Sequence, residues 1–495
     1  MFLRPLFVAV CLASTLLVAQ DTTATAEELA RLHRELQETR SGLAASRLEI
    51  QELRQSLQAL RDQVQGNQAA GNKPSASTEP AITGSAALEP STASADQDVG
   101  FLAAKIKELH QDKVESTSKY PVKLSGLVLF NAYRNSGSLD IQDLPNLAFP
   151  SFPGFPDGSV GATLRQTVLG VEATGPKLFG AHTSANVEVD FGGGSPTTAY
   201  GVTAGLVRLR TAQVGLDWQK TSLHIGQDTP FFSPLSPTSY ATLLEPAMSW
   251  SGNLWVWTPQ IEVERRLTLN SGSSLVLQGG LLDPLTEQTP PFQGVNPTAG
   301  EATRVPALAG RIAIDRSAAA HYPFSIGFAG YRARQRYQTF NQIDSWTFNS
   351  DLKIPLGQHL EISGEWYDGQ AVGGLGGGIW SSVIFPESSE PHADVHPLRS
   401  TGGWAQLKIR PMQRVQLNGA FGQDENFGKD LRFFATPFAG GFPALRKNRT
   451  EFVNFIYEPN SFLLFAIDYR HLFTAPAVGE AASGDHLNLA AGVRF

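Results

Sequence analysis

The sequence predicts an all-β fold: a 16-stranded antiparallel transmembrane β-barrel over 121–495, preceded by an N-terminal α-helical coiled coil. Three observations predict it. From 122 onward apolar and polar residues alternate in sixteen segments, the connections between them run long and short by turns, and the last segment ends on the aromatic carboxyl terminus Phe495.

The chain opens on a leader. Arg4 supplies a positive start, 6–19 an apolar run, and Leu17-Val18-Ala19 a small-residue cleavage pattern before Gln20, so 1–19 reads as a secretory signal peptide. The one cysteine, Cys11, lies inside it, which leaves the rest of the chain without a disulfide framework or a cysteine metal site. No other stretch is apolar for the roughly 18 residues that a membrane helix needs. The net charge of −7 is spread over interspersed acids and bases, which gives no basic footprint for nucleic acid.

A heptad repeat follows over 27–65. Leu29, Leu36, Leu43, Ile50, Leu57 and Val64 fill the a positions, and Leu32, Thr39, Ser46, Leu53 and Leu60 the d positions. One narrow apolar stripe at a period of 3.5 predicts a left-handed supercoil between chains, about 50 Å long at 1.5 Å per residue. Thr39 and Ser46 weaken its middle. The Ala, Ser, Thr, Pro and Gly of 66–100 cannot bury a core and read as a flexible linker. A short helix or spacer over 101–120, with Leu102, Ile106 and Leu109 on one face, leads into the barrel.

The sixteen segments are 122–134, 163–173, 181–191, 204–214, 221–227, 259–269, 273–282, 306–315, 323–334, 345–354, 359–368, 403–410, 415–424, 449–458, 462–471 and 486–495. In the third, Ala181, Thr183, Ala185, Val187, Val189 and Phe191 alternate with His182, Ser184, Asn186, Glu188 and Asp190. In the sixth, Ile261, Val263, Leu267 and Leu269, with Arg265 as a misfit, oppose Gln260, Glu262, Glu264, Arg266 and Thr268. A row that charged needs water on its side.

Long connections (135–162, 228–258, 284–305, 369–402, 425–448) follow odd segments, and tight turns (270–273, 355–358, 411–413, 459–460) follow even ones. Such sorting of loop lengths between two rims marks an outer-membrane barrel. In hydrocarbon an unpaired backbone group costs several kcal/mol, so the strands must close into a ring. An even count puts both barrel ends on the short-turn rim, and the leader places that rim and the coiled coil in the periplasm. Trp255, Trp257, Trp346, Tyr469 and Phe495 fit interfacial aromatic girdles.

Candidate pore-lining charges share the inward parity: Arg208 and Arg210, with Val207, Leu209 and Thr211 facing out; then Arg266, Arg311, Lys408 and Arg410; and against them Glu188, Asp190, Glu262, Glu264, Glu361 and Glu365. Rings of charge in a low-dielectric wall would bias which ions pass. The plainer reading is a solvated wall whose charges pair with one another. Two arginines side by side imply either an acidic neighbour or an anionic passenger. The long, stiff, weakly charged stretch after the fifth segment supplies the constriction-loop candidates Asp228, Phe231, Phe232, Tyr240 and Glu245.

Catalysis finds no support. There is no H-E-x-x-H and no G-x-S-x-G, and Glu361 and Glu365, four apart on a strand, stand roughly 13 Å apart, beyond paired acid–base carboxylates. No cofactor is expected.

The layout as a whole, with the runs Leu206-Val-Arg-Leu-Arg-Thr-Ala-Gln-Val-Gly-Leu-Asp-Trp and Leu223-His-Ile-Gly-Gln-Asp-Thr-Pro-Phe-Phe, resembles the DcaP-like porins and, more distantly, the sucrose-porin group. The resemblance implies a homotrimer, one pore per subunit, a third outer loop folded into the lumen, and passive diffusion of small hydrophilic solutes, anionic ones included. The loop lacks the acidic cluster of general porins, which argues against a cation preference. Outer-membrane lipid and lipopolysaccharide would surround such a barrel, and Phe495 resembles the signal read by the barrel-assembly machinery. A competing reading is a structural or adhesive outer-membrane anchor tethered to the cell wall. That role calls for large folded insertions, whereas the longest outer loop has about thirty residues.

Overall fold

Period-two alternation dictates a sheet with one apolar and one polar face, and the computed structural model closes that sheet on itself. It describes residues 120–151, 153, 157–194, 205–270, 272–286, 297–316, 323–337, 341–384, 395–432 and 444–495. The leader, coiled coil, linker and spacer expected before the barrel lie outside the described residues.

The barrel strands are β1 (Val122–Ser136), β2 (Ser159–Thr163, continued by Val168–Thr174), β3 (His182–Asp190), β4 (Arg208–Asp217), β5 (Thr221–Asp228), β6 (Thr258–Asn270), β7 (Ser273–Leu282) and β8 (Ala307–Arg316). The second half comprises β9 (Phe324–Tyr337), β10 (Asn341–Leu356), β11 (Leu360–Gln370), β12 (Arg399–Met412), β13 (Val415–Asn426), β14 (Leu445–Tyr457), β15 (Leu463–Pro476) and β16 (Ala482–Arg494). Each pairs antiparallel with its sequence neighbours, and β16 pairs with β1 (Val128↔Val493, Asn131↔Ala490, Asn135↔His486). At the seam Gly126 and Phe495 exchange backbone hydrogen bonds of 2.9 and 3.0 Å, so the aromatic terminus completes the ladder. A closed ring leaves no unpaired strand edge in the wall.

Leu487, Leu489 and Val493 of β16 lie exposed on the outside, while His486 and Asn488 are buried within. Around β9, β10 and β11 the outward rings of Phe328, Phe348 and Trp366 follow one another at centroid distances of 6.3 Å. An outer face of this kind would cost about 25 cal/mol per Å² if left in water, a penalty that vanishes in lipid. The inner face is rich in buried amides, among them Asn131, Gln406, Asn418 and Asn454.

The described strand ends on one rim lead into L1 (137–158), L2 (191–207), L3 (229–257), L4 (283–306), L5 (338–340), L6 (371–398), L7 (427–444) and L8 (477–481). On the other rim lie the short connections 175–181, 218–220, 271–272, 317–323, 357–359, 413–414 and 458–462.

Besides register shifts near strand ends at Ser273, Met412 and Leu445, two irregularities depart from simple alternation. The second strand is not continuous: Asn131↔Thr163 and Leu127↔Val168 pair normally, but 164–167 leave the ladder, and Thr167 Oγ1 accepts the Leu129 N–H at 3.1 Å instead. Between β3 and β4 the register passes from Glu188↔Thr211 to Val189↔Leu209, which leaves Arg210 as the extra residue of a β-bulge. Thr211, expected to face outward by parity, is therefore turned in and buried.

Candidate functional site

L3 does not stand above the rim. Its outgoing limb enters the barrel, and its first residues dock on the wall at β7 to β9. Phe231 and Phe232 are buried in an apolar cluster with Leu282, Ala307, Ala329 and Tyr331, the Phe232 and Tyr331 rings 5.3 Å apart. A loop inside a barrel has backbone groups that no strand can satisfy, so the wall's side chains must do it.

They do so in order around the circumference. The Leu235 N–H donates to Glu365 Oε1 of β11 (2.8 Å), and the Thr238 N–H to Gln406 Oε1 of β12 (2.7 Å). Asn454 Nδ2 of β14 donates to the Thr238 carbonyl (2.8 Å), and the Ser239 hydroxyl donates to Asp468 Oδ2 of β15 (2.8 Å). Asn131 Nδ2 of β1 holds the Tyr240 carbonyl (2.9 Å), and Arg494 Nη2 of β16 reaches the Tyr240 hydroxyl (3.0 Å). Burial raises the pKa of that hydroxyl, with Arg494 pulling the other way. Gln166, in the break of β2, grips L3 twice: its Oε1 accepts the Leu243 N–H (2.7 Å) and its Nε2 donates to the Ala241 carbonyl (2.8 Å). On β4, Arg210 Nη1 donates to the Leu243 carbonyl (2.9 Å) and Arg208 Nη2 to the Leu244 carbonyl.

The returning limb crosses the lumen again. Asn448 Nδ2 holds the Trp250 carbonyl (2.9 Å), and the Ser251 and Thr450 hydroxyls share a hydrogen bond of 2.8 Å. Gly252, at φ 98°, lies so close to Gly403 of β12 that a Cβ would fall 2.3 Å from its backbone nitrogen. L6 folds in beside this limb: Gly373, Gly374, Leu375 and Ile379 are buried, the Gly378 N–H donates to Tyr367 (2.9 Å), and the Trp250 and Trp380 rings meet at 4.4 Å.

The arginine pair has found its acidic neighbour. Arg208 binds Asp190 through two bonds (Nε 3.1 Å, Nη2 2.8 Å), and Arg210 lies 3.7 Å from Asp190 and 4.0 Å from Glu188. Both guanidinium groups sit over Trp257, 4.7 and 4.8 Å from the ring centroid. Trp257 is thus a lumen residue, and Trp255, whose backbone N–H donates to Leu375 of L6, belongs with the inward loops. Neither belongs to an outer girdle, because residues before β6 do not share its parity. Trp346, half-buried between the buried Ser345 and Thr347, and the exposed Tyr469 do alternate outward with their strands.

The other candidates are equally committed. Arg311 makes two bonds to Asp351 (2.8 and 2.7 Å) and one to Gln278 (2.7 Å). Arg266 pairs with Glu264 (3.1 Å) and Asp315 (3.2 Å); Lys408 and Arg410 approach Glu361 at 3.4 and 3.8 Å. Glu262 accepts from Gln278 (2.7 Å). Asp228 is the last residue of β5 and accepts the Thr229 N–H (2.7 Å), so it stands before L3 and not within it. Glu245 accepts from Asn146 of L1 (2.8 Å). In L1, Asp140 Oδ1 takes the N–H groups of Asn146 (2.9 Å) and Leu147 (3.1 Å), and burial pushes its carboxyl up to about 6 against those bonds.

No protein-family model matches the chain, and no curated protein sequence does. A solved structure does: the outer membrane channel DcaP of Acinetobacter baumannii, at 16% identity and a TM-score of 0.57, over 77% of this chain and 99% of that one. The barrel has the DcaP-type porin fold. The anion-selective porin from Comamonas acidovorans also matches, at 11% identity and a TM-score of 0.49, over 76% of this chain and 100% of that one.

Within this DcaP-type barrel, the side chains that hold L3 are mostly ones that motif and charge did not single out: Asn131, Gln166, Gln406, Asn454 and Asp468. For Asn131, Gln406, Asn454 and Asp468 the one signal in the sequence is inward parity near mid-strand, and Gln166, in the break of β2, lacks even that. A polar side chain at such a position carries no mark of a partner so far off in sequence.

Proposed function

We propose that the chain is an outer-membrane porin through which small hydrophilic solutes diffuse passively, with L3 forming the constriction. The observation that carries this reading is the path of L3: an uncharged loop, apart from Glu245, bonded to the inner wall from β11 round to β4 inside a closed, polar-lined barrel. A purely structural anchor has no need of a loop laid around its lumen. The DcaP-type fold agrees with it.

On this reading Arg208 and Arg210 line the constriction by holding L3, and their charge is offset by Asp190. Arg266, Arg311, Lys408, Arg410, Glu188, Glu262 and Glu264 line the wall, the four cations offset by Glu264, Asp315, Asp351 and Glu361, so anionic solutes would be favoured only weakly. Homotrimerisation, supported by the heptad repeat, a periplasmic position for that repeat, and recognition of Phe495 by the assembly machinery belong to the same proposal. Planar-bilayer recording of the purified chain tests it: discrete conductance steps with a reversal potential near zero in a salt gradient are expected, and a chain that inserts without steps refutes the channel.

A further inference from the structure

One buried contact of L3 requires a proton that the ordinary charge states do not supply. Ser233 Oγ lies 2.6 Å from Glu365 Oε2 and 3.0 Å from the Leu254 carbonyl. A hydroxyl has a single proton, and a carbonyl can only accept. If Glu365 were ionised, one of the two contacts would set acceptor against acceptor in a buried place, where Ser233 is 5% and Glu365 8% exposed.

We propose that Glu365 acts as the neutral acid. Its hydroxyl donates to Ser233 Oγ, Ser233 donates to the Leu254 carbonyl, and Glu365 Oε1 accepts the Leu235 N–H. Residues 233–235 of the outgoing limb and Leu254 of the returning limb are thereby clipped together and to β11. Glu365 becomes a positioning residue for the constriction, an inference that rests on the channel reading for its effect on conductance.

Among the described residues no cation pairs with Glu365. Opposite Glu365 on β10 stands Asp351, a like charge, and the guanidinium of Arg311 on β8 is already held by that Asp351. On β12 the neighbours are Trp404, opposite in register, and Gln406, both uncharged. Along β11 the next inward groups are Glu361, paired with Lys408 and Arg410, and Tyr367, which donates to Asp424 of β13. The L3 segment 231–236 and Leu254 bring no charge. Ionisation of Glu365 would free the Leu254 carbonyl and set two carboxylates side by side, so the limbs part as pH rises.

The test uses the full-length chain, Glu365→Gln and Ser233→Ala, with two readouts: hydrogen exchange of the Trp255 amide, which shares its peptide unit with the Leu254 carbonyl and donates to the Leu375 carbonyl, corrected for intrinsic rate, and single-channel conductance. Both are followed from roughly pH 5 to roughly pH 9, the span over which buried carboxyl groups titrate. The parent should lose protection at Trp255 and gain conductance on the alkaline side. Glu365→Gln, whose amide supplies the same donor and acceptor, should hold the low-pH level throughout, and Ser233→Ala should show the loosened level throughout. Protection independent of pH in the parent, or equally pH-dependent in Glu365→Gln, overturns the clip. A pH-dependent clip without conductance steps leaves the clip standing and removes the channel.

Discussion

At the scale of single residues, hydrogen-bond supply decides more than charge. Asp140 illustrates it in L1, where two backbone N–H groups bind a carboxyl that burial nonetheless pushes up to about 6. An unfolded aspartate titrates near 3.9, so between about pH 4 and about pH 6 the closed turn binds more protons than the open one. Its stability therefore falls as pH rises through that window and is level above it. Hydrogen exchange at the Asn146 and Leu147 amides should show this slope, and Asp140→Asn should abolish it. Neither group could be read in advance, because the turn that pairs them has no period and its geometry depends on burial.

At the scale of the element, L3 is a loop whose backbone is satisfied by the wall, and Gln166 carries two of those bonds. Gln166→Ala leaves the Leu243 N–H and the Ala241 carbonyl without partners, at about 1–3 kcal/mol for each buried group. L3 should then become open to cleavage by chymotrypsin at its aromatic and leucine residues while the strands stay intact; unchanged resistance would show that the remaining anchors suffice. The strands themselves were legible: β7 falls on 273–282 as the alternation places it, and most other ends move by a few residues. What alternation could not show are the breaks in it. The departure of 164–167 from β2 and the bulge at Arg210 each shift parity by a local insertion, and each serves a contact with L3 that lies far off in sequence. The prolines and aromatics of 228–257 announced a stiff loop as the third on its rim. Which wall residues would meet it was hidden, since an inward amide looks the same with or without a partner.

At the scale of the whole molecule, closure and charge balance follow from the same alternation. Outward residues meet lipid, and inward cations meet inward acids, which is why the basic candidates Arg208, Arg266, Arg311 and Lys408 are each held by a carboxylate of the wall. The seam at Gly126 and Phe495 completes the ring. The central claim is that L3 narrows a water-filled passage, and Ser236, exposed on the outgoing limb, gives the most direct access to it. The decisive measurement is single-channel conductance of Ser236→Cys, in a Cys11→Ser background, before and after reaction with a bulky thiol reagent, with mass confirming the modification. The account predicts a stepwise fall in conductance as each pore reacts. Full modification with conductance unchanged would contradict it.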